Sequence, residues 1–139
     1  MELKDYQQGF LTKFSYYLTT LRGQVENIAA AQEVLKVQGL SIDLGDPCVK
    51  AWDQLNEERR LPHLKDEDGN EQIADYLRRL DGLQRSIPNV TLKVPTGGGK
   101  TLLATAAVEM IQVDFFRRQT GFVLWVVPSD AIYKPATCW

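Results

Sequence analysis

Eight consecutive residues constrain this chain of 139 residues more than any other stretch: Val94-Pro95-Thr96-Gly97-Gly98-Gly99-Lys100-Thr101. A β-branched apolar run precedes them and a long helix-like apolar run follows, which is the strand–loop–helix setting of a phosphate-binding loop. The glycines permit positive φ and a close approach of the backbone to a ligand. Their N–H groups would then converge on an anion at the positive end of a helix. We therefore predict nucleotide binding here, in preference to a turn with a chance Gly-Lys-Thr triplet.

The residues of the loop have distinct expected roles. We expect the ammonium group of Lys100 to reach the β- and γ-phosphates of a nucleotide, and the hydroxyl group of Thr101 to hold Mg²⁺. The remaining residues that we expect to contact the phosphates are Thr96, Gly97, Gly98 and Gly99. Val94 departs from the general pattern, since a glycine normally stands at that position.

Composition limits the other possibilities. A hydrophobic content of 44% is ordinary for a globular protein, and a formal net charge of −2 gives no overall sign of nucleic-acid binding. The two cysteines, Cys48 and Cys138, lie far apart, as expected for free thiols in a reducing compartment. No apolar run approaches the ~20 residues of a membrane span, and no secretory signal begins the chain. The sequence thus predicts a cytoplasmic protein without a membrane-embedded part.

The region before the loop, residues 1–88, is predicted to be a helical leader of about four helices. Apolar spacing favours helices over residues 3–21 and 24–37, with Gly23 between them and Gly39 after them. A third helix should begin at Asp46-Pro47, where an N-cap acid precedes a proline at the first helical position. The fourth spans residues 71–86. Between these last two helices, His63 is interpreted as a loop residue and residues 65–70 as a solvated turn.

The loop itself should connect the parts of a βαβ unit. Residues 90–94 and the continuous apolar run of residues 122–127 have the character of parallel strands, and residues 102–118 that of a buried helix. Pro128 and Ser129 separate the end of the second run from the next acid, Asp130. We therefore favour a loop residue over a Mg²⁺ ligand at this position.

These residues resemble a known family. Residues 95–101 resemble motif I of superfamily 2 helicases, and Val127-Pro128-Ser129-Asp130-Ala131 resembles their motif Ia. Leu3 with Tyr6-Gln7 resembles an N-terminal signature in which a glutamine reads adenine. The strongest likeness is to the helicase-type restriction subunit of type III restriction enzymes and related DEAD/DEAH-box ATPases. The resemblance implies that Gln7 contacts adenine with Tyr6 stacking beside it, and that Pro128 and Ser129 lie near a nucleic-acid backbone.

Large parts of the family's pattern do not occur in this sequence. The Asp-Glu pair of motif II, motif III and the second RecA-like domain with its arginine finger are missing, and Pro135 interrupts the next helix early. The resemblance therefore implies an incomplete α/β fold, with residues 89–139 as the truncated start of a RecA-like ATPase domain. We expect an ATP-binding N-terminal fragment of a DNA helicase or translocase that lacks hydrolysis. DNA, a methyltransferase-type subunit or the rest of the protein are its expected partners.

Two alternatives remain open. The chain is a small self-contained P-loop NTPase or kinase if Asp130 supplies the catalytic acid. It is a non-catalytic helical interaction module if the leader carries the function. For the incomplete RecA-like domain we expect uncovered apolar surface beside the two strands, with marginal stability, aggregation or dependence on a partner.

Overall fold

The structure is a computed structural model that describes residues 3–61, 64–72 and 75–126. The chain divides into two compact units, Met1–Leu92 and Lys93–Trp139. The first unit holds helices α1 (Asp5–Val37) and α2 (Pro47–Glu57) and the short strands β1 (Leu64–Lys65) and β2 (Glu71–Gln72). The second unit holds helix α3 (Lys100–Met110), which runs into a π-helical turn at Ile111–Phe115.

Helix α1 is one continuous helix of 33 residues, so the predicted interruption at Gly23 is wrong. A glycine inside a helix costs only about 1 kcal/mol, which the packing of the adjacent Leu21 and an Arg22–Glu26 ion pair of 2.7 Å can offset. The predicted end is confirmed, because Gly39 has a φ of 70° and donates its N–H to the carbonyl of Lys36.

Helix α2 begins as the sequence predicts, with Asp46 as N-cap and Pro47 at the first position. It ends at Glu57, and Arg59 just beyond it takes a left-handed conformation with a φ of 55°, which does not continue a helix. The helix packs against the first half of α1 and forms the core of the unit. The buried apolar residues of this core are Phe14, Tyr17, Leu18, Leu21, Cys48, Ala51 and Leu55.

The predicted fourth helix over residues 71–86 is wrong. Its first two residues form β2, which pairs antiparallel with β1 around the predicted polar turn at Asp66. Further on, Leu80 and Ser86 form an antiparallel bridge around a second turn. The carboxylate of Asp81 accepts from the N–H groups of Leu83 and Arg85 at 2.8 and 2.9 Å. An aspartate that satisfies nearby backbone donors in this way favours a turn over a helix.

The predicted α/β fold with one βαβ unit and a RecA-like arrangement is also wrong. Residues 90–94 and 122–126 have no regular secondary structure, and the only strands of the described residues are the two-residue β1 and β2. A strand forms only where a neighbouring strand takes up its backbone hydrogen bonds. Within the described residues, no helix has the length and apolar character to cross a membrane.

Candidate functional site

The glycine-rich loop forms a tight turn in front of α3. The N–H group of Gly98 donates to the carbonyl oxygen of Pro95 at 3.0 Å, which closes a four-residue turn. Gly97 is the third residue of this turn and has a φ of 76°, the position and sign at which a type II turn needs glycine. Gly98 is buried, and Thr96 and Gly97 are exposed at the tip.

Gly99 connects the turn to the helix. It is the N-cap of α3 and has a left-handed conformation, with φ 75° and ψ 37°. The first helical hydrogen bond runs from the N–H group of Leu103 to the carbonyl of Gly99. The N–H groups of Lys100, Thr101 and Leu102 therefore have no acceptor within the helix, as in any first helical turn. The sequence Gly-Gly-Gly-Lys-Thr thus forms a turn with left-handed glycines and a helix start with three N–H groups that have no acceptor within the helix.

Lys100 lies directly at this turn. Its ammonium group donates to the carbonyl oxygen of Pro95 at 3.2 Å, so the side chain folds back over the loop. Lys100 forms no ion pair with a carboxylate of the described residues. A neutral carbonyl is a weaker partner for an ammonium group than a phosphate oxygen. Within the described part of the chain, the side chain is therefore held beside the loop by a neutral partner alone.

The first turn of α3 carries no acidic residue. No carboxylate within that turn therefore neutralises the partial positive charge at the N-terminus of the helix. Thr101 is half-buried, and its carbonyl accepts from the hydroxyl of Thr105 at 2.9 Å. Leu103 is 2% exposed and is the most buried side chain of the helix, so it fixes the helix that presents the loop. The arrangement of free N–H groups, a lysine and a threonine can bind an anion with phosphate geometry.

Tyr6 and Gln7, the residues expected at adenine, belong to the first unit and lie in the first turn of α1. The side chain of Gln7 is buried, and its Oε1 accepts from the N–H group of Lys4 at 2.8 Å. This contact caps the helix in the manner of a capping box. Tyr6 is about half-exposed. The role of both residues in adenine binding stays a prediction, and Gln7 has a structural role that the sequence motif did not suggest.

Several predicted positions lie outside the described residues: His63, Pro128, Ser129, Asp130 and Cys138. In the part of the chain that the structure describes, no cluster of three histidine, cysteine or acidic side chains has a metal-binding arrangement. Thr101, the predicted Mg²⁺ ligand, lies at the start of α3 next to the loop, and its role in metal binding stays a prediction.

Sequence reasoning missed a polar network in the first unit. The carboxylate of Asp46 accepts from the N–H group of Cys48 at 2.8 Å, from Arg78 at 2.7 Å and from the hydroxyl of Ser86 at 2.5 Å. Burial alone would raise the pKa of Asp46, but these hydrogen bonds outweigh it and hold the pKa below its usual value. The Asp46-Pro47 pair had indicated only a helix cap. The partners at residues 78 and 86 could not be identified because they fall in the segment wrongly predicted as helix.

Three hydroxyl and thiol groups lie beside this network. Burial raises the pKa of Tyr17 far above its usual value, and the nearby hydroxyl of Tyr76 adds to the shift. The hydroxyl of Tyr17 makes no hydrogen bond within the described part of the chain. Tyr76 accepts from the side-chain amide of Asn89 at 3.0 Å, and burial raises the pKa of the Cys48 thiol. Burial also raises the pKa of Tyr76, so all three groups stay neutral at pH 7.

Comparison with known proteins assigns the chain to no family and no fold. No protein-family model matches the chain, and neither the curated proteins nor the solved structures include a match to it.

Proposed function

We propose that the loop of residues 95–101 binds the triphosphate of ATP together with Mg²⁺. The observation that carries the proposal is the geometry of the loop, in which a turn with two positive-φ glycines ends at the N-terminus of α3 beside Lys100. Free N–H groups, a helix dipole and an ammonium group all favour a multiply charged anion at one place. The likeness of these residues to motif I supports ATP as the nucleotide.

Lys100 would change partner on binding. Its ammonium group, now 3.2 Å from the carbonyl of Pro95, would turn to the β- and γ-phosphates. A charge-assisted hydrogen bond contributes about 1.5–3 kcal/mol, so its loss should weaken binding by about 10- to 150-fold. The hydroxyl group of Thr101 would join phosphate oxygens and water around Mg²⁺, which prefers an octahedral set of oxygen ligands.

The first experiment is a titration of the full chain with a fluorescent ATP analogue and Mg²⁺. Lys100→Ala should weaken binding by the factor given above, and Lys93→Ala is the matched control because it removes an exposed lysine from the same unit. Equal affinities for the wild type and Lys100→Ala would refute the proposal, as would no binding at millimolar nucleotide.

A second titration tests the metal. Thr101→Val removes the hydroxyl group and keeps the shape of the side chain, whereas Thr101→Ser keeps the hydroxyl group. The valine variant should lose the gain in affinity that Mg²⁺ gives, and the serine variant should retain it. The same Mg²⁺ dependence in both variants would exclude Thr101 as a ligand.

The wider context is part of the same proposal. The likeness to helicase motifs favours an ATP-binding part of a DNA translocase in the cytoplasm, with DNA or a methyltransferase-type subunit as partner. Hydrolysis needs a group that orients the attacking water and charges that stabilise the transferred phosphoryl group. We propose binding without turnover for this chain, because motif II is missing from its sequence. The proposed absence of turnover would be contradicted if the wild type released phosphate steadily from ATP and Lys100→Ala abolished that release.

A further inference from the structure

A segment without regular secondary structure follows the π-helical turn in the second unit, and the exposure of its side chains alternates as it does along an extended strand. Its backbone, residues 121–126, makes no hydrogen bond with any other residue that the structure describes. Alternate side chains project into solvent, with exposed fractions of 93% for Phe122, 77% for Leu124 and 83% for Val126. Gly121 lies against the side chain of Gln112, close enough that an added Cβ atom would be 3.2 Å from its Nε2. The start of the segment is therefore held on the π-helical turn, while its backbone donors and acceptors have no partner among the residues that the structure describes.

An open, extended and apolar backbone is a template for another strand. The partner must itself be extended, because only a strand can satisfy donors and acceptors that alternate along the chain. The partner must also be apolar on the side that meets Phe122, Leu124 and Val126. Residues 119–127 contain no charged side chain, so a second copy of this segment meets the condition without opposing like charges.

The order of the side chains favours a second copy of the chain as the partner. We propose that two chains pair antiparallel through residues 122–126, with a two-fold axis at Leu124. In this register Phe122 of each chain faces Val126 of the other, and Val123 faces Trp125. Aromatic and β-branched residues directly opposite each other are favourable cross-strand pairs, and this register makes four of them. A self-complementary patch of this kind is what a two-fold dimer requires.

The register makes a sharp test possible, because Leu124 meets itself across the axis. Sedimentation velocity of the full chain should show a concentration-dependent dimer. Leu124→Lys and Leu124→Glu should each weaken it by about ten-fold or more, since like charges then lie directly opposite each other. An equal mixture of the two variants should restore the dimer, because lysine then faces glutamate.

The control is Leu83→Lys, which changes a leucine of the first unit with a similar exposed fraction of 72% and should leave the dimer unchanged. Restoration in the mixture also shows that the variants fold, so loss of structure cannot imitate the result. A wild type that stays monomeric at its solubility limit would overturn the proposal. A dimer that survives both variants, a mixture that fails to restore it, or open-ended aggregates without a discrete dimer would overturn it as well.

Discussion

Asp46 should be the most sensitive polar residue of the first unit. Its side chain is 6% exposed, and it caps α2 while it accepts hydrogen bonds from Ser86 and Arg78. Replacement by alanine removes all three contacts at once. Loss of an N-cap costs about 1 kcal/mol, and loss of a hydrogen bond to a charged group costs about 1.5–3 kcal/mol. The Arg78 side chain is 55% exposed, so its ion pair adds only about 0–1 kcal/mol.

The sum is about 2.5–5 kcal/mol for Asp46→Ala, which corresponds to a fall in Tm of about 10–40 °C for a unit of this size. Urea unfolding followed by far-UV circular dichroism measures the free energy directly. Asp53→Ala, at an exposed position of the same helix, is the control and should change it by less than about 0.5 kcal/mol. A cost below about 1 kcal/mol for Asp46→Ala would refute the network, because the cap alone accounts for that much.

The carboxylate of Asp46 should also make the free energy of unfolding depend on pH. Its pKa is lowered in the folded state, because hydrogen bonds from Ser86, the Cys48 amide and Arg78 outweigh the effect of burial. The folded state therefore binds the proton more weakly than the unfolded state, whose pKa is about 4. The stabilisation is complete above that value and is lost as the pH falls through the lower folded pKa. Asp46→Asn should flatten this acid limb of the stability curve, and an unchanged acid limb would count against the assignment.

Two further predictions concern glycines and the division of the chain. Gly23 lies in α1 with open space where an added Cβ atom would stand, so Gly23→Ala should stabilise the protein by about 0.5–1 kcal/mol. Gly97→Ala instead forces a side chain into a left-handed turn, which costs about 1–2 kcal/mol. That variant should weaken nucleotide binding by about 5- to 30-fold. Urea unfolding measures the stability of both variants, and a nucleotide titration measures the affinity of Gly97→Ala. The same change in stability for both variants would contradict the conformational argument. A chain that ends at Leu92 should keep a cooperative unfolding transition, because the α1–α2 core lies entirely within it; a non-cooperative melt would contradict that division.

Local signals in the sequence predicted local structure well. The Asp46-Pro47 start of α2, the end of α1 before Gly39 and the polar turn at Asp66 were all identified correctly. Each depends on contacts within a few residues, such as a cap, a left-handed glycine or a carboxylate that accepts neighbouring N–H groups. The loop before α3 belongs to this class, since its turn and helix start need only the glycines and the residues beside them.

Features that depend on distant partners were predicted poorly. The leucines at positions 77, 80 and 83 have helical spacing, but the turn at Asp81 closes a bridge between residues 80 and 86 instead. Residues 90–94 and 122–127 have the composition of strands, yet composition does not supply the neighbour that makes a strand. The partners of Asp46 were missed for a related reason, since they are 32 and 40 residues away along the chain.

The most direct test of phosphate binding is to observe the amide groups of the loop. In ¹H–¹⁵N spectra, Mg²⁺-ATP should shift the amide signals of Gly97, Gly99, Lys100 and Thr101, which face the anion in the proposed complex. Gly69 is the control, because it is also a positive-φ turn glycine, with a φ of 83°, but lies in the first unit. Selective shifts at the loop, absent in Lys100→Ala, are the predicted result. Loop signals that stay in place at saturating nucleotide, or that move no more than Gly69, would contradict the account.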